Sequence, residues 1–170
     1  MLEIYTDGSS RGNPGKGGYG VVTMKDGMID LIISKQFDNV TNNQMELQAL
    51  ITAMEWCYSN YALENEIIIY SDSAYCVNMI NSWIWTWCNN GWKNSKKQTV
   101  ENYELVRKIY DLLLPQYPLT KNFEVRKTSG HNGIAGNELA DALATQNSTK
   151  FKKIILGKNI ETLSEINFDF

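Results

Sequence analysis

The order of strand-like and helix-like segments is the feature that most limits what this chain can fold into. Five segments have the apolar or alternating character of strands, at residues 2–6, 18–24, 28–37, 66–70 and 123–128. A hairpin turn, Lys25-Asp26-Gly27, joins the second segment to the third, whereas helical patterns precede the fourth and the fifth. This order predicts an α/β fold with one mixed sheet: three meandering strands, then parallel strands joined by helices.

Capping residues indicate where the helices begin. Thr41 and Gln44 have the spacing of a capping box, in which each side chain bonds the backbone N–H of the other residue. Apolar residues follow at helical spacing, and Ser73 can cap the next helix. That helix and two later ones are expected at residues 73–81, 99–114 and 136–146.

Length and composition indicate one globular domain. The 170 residues fit the roughly 100–200 residues of a typical domain. No apolar run reaches the roughly 18 residues of a membrane helix, and Met1 leads directly into a strand without a signal peptide. We therefore expect a free-standing, cytoplasmic protein with no membrane contact. The three cysteines match no zinc pattern and are expected to be reduced core residues.

Charge is unevenly distributed along the chain. The formal net charge of -3 argues weakly against a nucleic-acid partner. Residues 83–127, however, contain eight basic and four acidic side chains, a local charge of +4. Because a polyanion senses charges within a Debye length of about 8 Å, this segment could bind nucleic acid.

Acidic residues occur where the topology could bring them together. Asp7 and Asp72 follow two apolar strands. Glu46 lies in the first turn of the helix after the meander, and Asp141 lies in the last helix. Taken singly, each could be a turn former or a helix cap. If they converge, two charges 4 Å apart repel by about 4 kcal/mol at an effective dielectric of 20. A cation would then be required, and oxygen ligands without His or Cys select Mg²⁺ or Mn²⁺.

Five motifs then point to a family: YTDGSSRGNPG, TNNQMEL, YSDSAY, WIWTWCNNGWKNSKK and SGHNGIAGNELADALA. Together they resemble type 1 ribonuclease H, the cellular bacterial form, over residues 2–145. The resemblance implies a ribonuclease H-like fold whose five-stranded mixed sheet has the order 3-2-1-4-5. It also implies a catalytic domain at residues 1–146, followed by an extension at 147–170 that is docked or partly disordered.

The resemblance implies an endoribonuclease that hydrolyses the RNA strand of RNA–DNA hybrids, leaves 3′-hydroxyl and 5′-phosphate ends, and serves primer and R-loop removal. The family's metal-binding and catalytic carboxylates fall on Asp7, Glu46, Asp72 and Asp141, and its assisting loop histidine falls on His131. Asp7 would bridge two Mg²⁺ ions, for which Mn²⁺ could substitute. One ion would activate the attacking water, and the other would stabilise the leaving 3′ oxygen.

Substrate contacts are expected, by the same resemblance, from the first motif, from polar residues near helix starts, and from an aromatic and basic handle at residues 83–97. The residues are Gly8, Ser9, Gly12, Asn13, Thr41, Asn42, Asn43, Asn78, Trp83, Lys93, Lys96, Lys97 and Asn137. Small and polar groups would approach RNA 2′-hydroxyls, and the basic handle would lie along the DNA strand. Within the handle, Trp85 and Trp92 are expected to be mostly buried and Trp83 partly exposed.

Several positions depart from the family pattern. Cys88, Asn89 and Asn90 stand where bacterial members often carry Lys or Arg, and Gln44 and Ala74 stand where Arg and Gln are common. Because each change removes a contact or a charge to nucleic acid, we expect weaker hybrid binding and a flatter salt dependence, with the chemistry retained.

Other functions share some of these features. A non-catalytic hybrid-binding module would lack a carboxylate, and none of the four is missing. A junction resolvase or transposase has a related carboxylate cluster, but the asparagine pair beside Glu46 and the basic handle disfavour it. A reverse-transcriptase fragment is a further alternative, against which the strand directly after Met1 argues. We expect a monomer, with the acidic, aromatic C-terminus as a weaker candidate for contact with a replication protein.

Overall fold

The computed structural model describes residues 1–60, 66–114, 123–128, 135–156 and 166–167. Its strands are β1 (Leu2–Gly12), β2 (Gly15–Lys25), β3 (Met28–Val40), β4 (Ile67–Ser71), β5 (Phe123–Lys127) and β6 (Ile166–Asn167). Its helices are α1 (Asn42–Asn60), α2 (Ala74–Asn78), α3 (Ile84–Asn89), α4 (Tyr103–Leu112), α5 (Ala135–Ala144) and α6 (Ser148–Leu156), and a π-helical turn, Met79–Trp83, links α2 to α3. Within these ranges, none of the helices combines the length and the apolar character that crossing a bilayer requires.

The strands form one mixed sheet in the order β5-β4-β1-β2-β3-β6. The first three strands pair antiparallel as a meander, whereas β4 pairs parallel with β1 and β5 pairs parallel with β4. The predicted five-strand order 3-2-1-4-5 is therefore confirmed. The sequence did not predict β6, a two-residue strand of the C-terminal extension that pairs parallel with Ile32 and Ile33 of β3.

A hairpin turn and a helix cap formed as the sequence predicted. Asp26 and Gly27 both have positive φ angles, 51° and 79°, as a type I′ turn requires, and they join β2 to β3. At the start of α1, the Thr41 N–H donates to Gln44 Oε1 at 2.9 Å, and the Gln44 N–H donates to Thr41 Oγ1 at 3.2 Å. This reciprocal capping box explains why α1 begins directly after β3.

Two helix boundaries differ from the prediction. Ser73 Oγ accepts a hydrogen bond from the Cys76 N–H and caps α2, but helical structure continues through the π-helical turn and α3 to Asn89. The following helix, α4, begins at Tyr103 rather than at residue 99. The reason is that Asn102 has a left-handed backbone conformation, with φ at 54°, which interrupts helical geometry.

Two apolar clusters cover the two faces of the sheet. Because neighbouring residues of a strand point to opposite faces, Ile4 belongs to the larger cluster, which includes the buried face of α1, and Tyr5 belongs to the smaller one, with α5. Gly20 allows α5 to lie close to β2, since a Cβ there would be 2.6 Å from the Ala140 carbonyl oxygen. Phe151 of α6 packs in the smaller cluster, so α6 belongs to the same layer as α5.

Aromatic residues of the basic handle are only partly placed as predicted. Trp92 is buried and Trp83 is partly exposed, as expected. Trp85 is 42% exposed, so the prediction that it lies mostly in the core is wrong. The π-helical turn just before α3 changes the helical register and thereby rotates which side chains face the core. The three cysteines are free thiols, as predicted, and two of them are buried.

Candidate active site

Asp7 and Asp72 follow the last paired residues of two parallel strands. The pairing of β1 with β4 ends at Thr6 and Ser71, and the aspartates come next. The prediction that the first strand ends at Asp7 is wrong, because antiparallel pairing with β2 continues to Gly12. Asp7 is therefore held rigidly by β2 at the point where β1 and β4 stop pairing.

Glu46 is the fifth residue of α1 and lies just beyond its first turn, so the prediction that it lies in the first turn is wrong. It reaches the aspartates because β1 lies directly against this part of α1. Gly8 allows this contact: a Cβ on this residue would lie 2.2 Å from the Glu46 backbone nitrogen. One carboxylate oxygen from each of Asp7, Glu46 and Asp72 lies within 4.8 Å of the other two. We call these three residues the carboxylate cluster.

Burial makes the carboxylate cluster difficult to ionise without a cation. Asp7 is 6% exposed and Glu46 is 8% exposed. Burial, followed by the charges of Asp72 and Asp141, raises the pKa of Asp7 to about 8. Burial, followed by the charges of Asp7 and Asp72, raises the pKa of Glu46 well above its usual range. The carboxylate cluster therefore favours either protonation or a bound cation at neutral pH.

The donor atoms of the carboxylate cluster fit a divalent metal ion. Glu46 Oε2 is buried and has no hydrogen-bond partner among the residues that the structure describes. A buried carboxylate oxygen in that situation is destabilising unless another group binds it. All ligand atoms here are oxygens, which suits Mg²⁺ or Mn²⁺. The carboxylate cluster is therefore a candidate metal site.

Asp141 lies beside the carboxylate cluster without being one of its three members. Its charge is close enough to raise the pKa of Asp7. Its Oδ2, however, lies 2.7 Å from the ammonium of Lys150 on α6, and the same ammonium lies 2.6 Å from Glu138 Oε2. Sequence reasoning missed Lys150 and Glu138. For Glu138, the available signal was its i, i+3 spacing from Asp141, which places both on one face of α5.

The residues predicted to contact sugars and phosphates meet where the loop between β1 and β2 reaches the start of α1. Asn42 Oδ1 accepts a hydrogen bond from the Ser10 N–H at 2.7 Å, and Asn13 Oδ1 accepts one from the Asn42 N–H at 3.2 Å. These bonds tie the loop to the helix beside the carboxylate cluster. The predicted residues found in this region are Gly8, Ser9, Gly12, Asn13, Thr41, Asn42 and Asn43.

The basic handle presents charged and aromatic side chains on the surface. Its predicted lysines are all exposed: Lys93, Lys96 and Lys97. The ring of Trp83 lies 6.0 Å, centroid to centroid, from the rings of both Tyr75 and Trp87. Tyr75, the last residue of the YSDSAY motif and a position that sequence reasoning did not single out, is half-buried and packs beside the aromatic rings of the basic handle.

Three other predicted residues have different outcomes. Asn78 is exposed on α2. Asn137 is buried, and its Oδ1 accepts a hydrogen bond from Thr128 Oγ1 at 3.4 Å, so it joins α5 to the end of β5 rather than facing outwards. A direct substrate contact by Asn137 remains a prediction that this position does not favour. His131 lies outside the described residues.

The fold and the carboxylate cluster define an α/β protein with a candidate divalent-metal site at the end of two parallel strands. The family model for RNase H matches residues 1–149. A ribonuclease H from Ruthia magnifica subsp. Calyptogena magnifica is 42% identical over 141 residues, which cover 83% of this chain and 90% of that relative. This chain belongs to the ribonuclease H family.

Solved structures agree with this family assignment. LC11-RNase H1 in complex with RNA/DNA hybrid matches with a TM-score of 0.65 and 25% identity, over 86% of this chain and 95% of that chain. The foamy viral protease-reverse transcriptase in complex with RNA/DNA hybrid matches with a TM-score of 0.73 and 26% identity. That match covers 85% of this chain and 19% of the viral chain, so this chain spans about a fifth of the viral protein.

Proposed function

We propose that this protein is an endoribonuclease that hydrolyses the RNA strand of RNA–DNA hybrids and leaves 3′-hydroxyl and 5′-phosphate ends. The carboxylate cluster carries the proposal, because three acidic oxygens within 4.8 Å of one another suit divalent cations. Family membership supplies the reaction class. Mg²⁺ is the ion expected in the cell, with two ions present when substrate is bound and Mn²⁺ as a substitute.

Asp7, Glu46 and Asp72 would hold the metal, with Asp141 at the edge of the site. Bound divalent ions supply a water of lowered pKa as nucleophile and stabilise negative charge on the leaving 3′ oxygen. The protein's part is to keep the acidic oxygens in place. The Gly8 N–H, for example, donates to Asp7 Oδ1 at 2.8 Å and fixes the orientation of that carboxylate. The family resemblance adds His131 as a group that assists departure of the leaving group.

Two surfaces would select the hybrid over other duplexes. Asn13 and Asn42, beside the carboxylate cluster, offer polar groups suited to RNA 2′-hydroxyls in a minor groove. The N-terminus of α1 with Thr41 is suited to a phosphate of the DNA strand, since helix N-termini attract anions. The exposed lysines of the basic handle add phosphate contacts that salt would weaken. The hybrid-bound state of LC11-RNase H1 supports this choice of substrate.

A cleavage assay tests the function directly. Labelled RNA–DNA hybrid, duplex RNA and duplex DNA are offered with Mg²⁺ or with chelator to the wild-type protein, to Asp7→Asn and to Asp38→Asn, whose aspartate is exposed on β3. We expect wild type and Asp38→Asn to cut RNA only when it is paired with DNA in the hybrid and only when Mg²⁺ is present. Asp7→Asn should still bind the hybrid, because most affinity comes from phosphate contacts elsewhere. Cleavage in chelator, or by Asp7→Asn at the wild-type rate, would contradict the proposal.

In the cell, this activity would remove RNA primers and R-loops. A cytoplasmic location, a monomeric state and the division into a catalytic domain at residues 1–146 and an extension at 147–170 remain predictions. Cell fractionation checks the first, light scattering the second, and limited proteolysis with mass spectrometry the third.

A further inference from the structure

The C-terminal extension begins with α6, whose first turn is anchored to α5. Asn147 Oδ1 accepts a hydrogen bond from the Lys150 N–H at 2.9 Å and so caps the start of the helix. The next residue, Phe151, is 6% exposed and belongs to the apolar cluster that contains Leu139 and Leu143 of α5. Because its backbone and its neighbour are both anchored, Lys150 is directed to one place on α5.

The Lys150 ammonium lies between two carboxylates of α5. It is 2.6 Å from Glu138 Oε2 and 2.7 Å from Asp141 Oδ2, distances typical of strong, charge-assisted contacts. The Lys150 side chain is 26% exposed, and those of its two partners are similarly covered. Solvent therefore screens these contacts less than it screens an ion pair on an open surface.

We propose that Lys150 is a positioning residue for Asp141 and that its ammonium competes with the divalent metal ion for this carboxylate. The proposal rests on the proposed function, because Asp141 is expected there to stand at the edge of the metal site. In the metal-free protein, the ammonium neutralises Asp141 and holds its Oδ2 away from any other cation. A divalent ion that reaches the carboxylate cluster meets one positive charge close by, which weakens its binding.

The C-terminal extension thus supplies a built-in cation to the metal site. The carboxylate cluster and Asp141 would bind divalent ions more tightly if α6 were not docked, because four carboxylates would then face the ion without a competing ammonium. As a consequence, a higher concentration of divalent ion is needed to fill the metal site than would be needed without Lys150.

Mn²⁺ titration calorimetry on the substrate-free, full-length protein tests this proposal. Lys150→Met removes the charge and keeps most of the side-chain length, and Lys150→Gln repeats the change with a polar group. Lys150→Arg keeps the charge. Lys152→Met is the matched control, since Lys152 is exposed on the same helix. We expect the Mn²⁺ Kd to fall about fivefold or more in both neutral Lys150 variants, and to stay at the wild-type value in Lys150→Arg and Lys152→Met.

The same titrations separate failure of this proposal from failure of the proposed function. Circular dichroism first establishes that each variant is folded. Unchanged or weaker Mn²⁺ binding in both folded neutral variants, together with a large loss in Asp7→Asn, would overturn the role of Lys150 and leave the metal site intact. If wild type and Asp7→Asn bind Mn²⁺ equally well, the metal site itself is wrong, and the role of Lys150 is overturned with it.

Discussion

Asp7 on β1 and Glu46 on α1 bring carboxylate oxygens within 4.8 Å of each other, and this approach of a strand to a helix depends on the absence of a side chain at Gly8. The backbone of Gly8 lies so close to the backbone of α1 that a Cβ would be 2.2 Å from the Glu46 nitrogen. The candidate metal site is thus built on tight packing between two rigid elements rather than on a flexible loop.

Gly8→Ala is therefore expected to separate β1 from α1. We predict a loss of about 1–3 kcal/mol in the free energy of unfolding, as for other overpacked sites, together with weaker Mn²⁺ binding. Denaturant unfolding and titration calorimetry measure the two effects. Gly91→Ala is the control: its φ of 76° strains an alanine, but a Cβ there meets nothing within 4 Å, so stability should fall while Mn²⁺ affinity stays unchanged. Wild-type stability and affinity in Gly8→Ala would contradict the prediction.

The raised pKa of Asp7 predicts how the stability of the metal-free protein depends on pH. Folding raises this pKa from 3.8 to about 8, so the folded state holds the proton more tightly than the unfolded chain does. The resulting stability is fully present below about pH 4 and is lost as the pH rises to about 8.

Asp7→Asn cannot ionise at this position, so it should lack that pH dependence. In chelator at about pH 8.5, we expect its Tm to exceed the wild-type value by at least about 2 °C, which corresponds to roughly 1 kcal/mol for a chain of this size. The difference should shrink at about pH 5.5, and added Mg²⁺ should raise the Tm of wild type and of Asp38→Asn but not that of Asp7→Asn. Thermal melts of wild type, Asp7→Asn and Asp38→Asn check this, and a difference that does not change with pH would contradict it.

The local parts of the fold that the sequence predicted correctly depend on residues close together in the chain, whereas the strand order came from the family resemblance. The capping box of Thr41 and Gln44 and the turn at Asp26-Gly27 involve groups a few residues apart, and both formed as expected. The extension of β1 to Gly12 was missed because it depends on pairing with β2, which local patterns do not report. Trp85 was misplaced because a π-helical turn shifts the helical register.

In the candidate site, too, some residues could be predicted from the sequence and others could not. The motifs that carry the family resemblance include Asp7, Glu46 and Asp72, and the structure brings these residues together. Lys150 lies beyond those motifs, and its position depends on how Phe151 packs against α5. Tertiary packing of this kind has no signature in one sequence, so the contact between Lys150 and Asp141 could not be predicted.

The basic handle predicts a salt dependence of hybrid binding. Lys96→Gln and Lys97→Gln should each reduce the slope of log K against log salt by about 0.7–0.9, because each exposed lysine releases roughly one counterion on binding a phosphate. Lys108→Gln is the control, since Lys108 is paired with Glu55 at 2.9 Å. Hybrid-binding titrations at several salt concentrations measure the slopes. Slopes in the handle variants that equal the wild-type slope would show that the lysines do not contact phosphate.

At two of the positions that depart from the family pattern, Asn89 and Asn90, an added positive charge should increase the salt dependence of hybrid binding. Asn89→Lys and Asn90→Lys introduce the positive charges that the family resemblance leads us to expect at these positions, and both positions are exposed. We expect each substitution to tighten hybrid binding at low salt and to steepen the salt dependence, with kcat little changed. The same titrations, with a steady-state cleavage assay, check this. An unchanged slope in both variants would mean that this part of the basic handle lies away from the DNA strand.

Docking of α6 is tested through Phe151. Replacing a buried Phe by Ala typically costs about 3–5 kcal/mol, so Phe151→Ala should lower the Tm clearly. Lys153→Ala, at an exposed position of α6, should change the Tm little. If deletion from Ser148 onwards leaves the Tm unchanged but abolishes pull-down of a replication protein, the extension is a partner-binding tail and not a docked part of the domain.

The central claim is that Asp7, Glu46 and Asp72 together hold divalent metal. An anomalous difference map from crystals grown with Mn²⁺ tests it most directly, because the ion scatters anomalously and its ligands can be read from the map. We predict a peak at about 2.0–2.2 Å from oxygens of these three side chains, and no such peak in crystals of Asp7→Asn. A map in which the three carboxylates lie apart, or in which Mn²⁺ binds elsewhere and leaves them empty, would contradict the account.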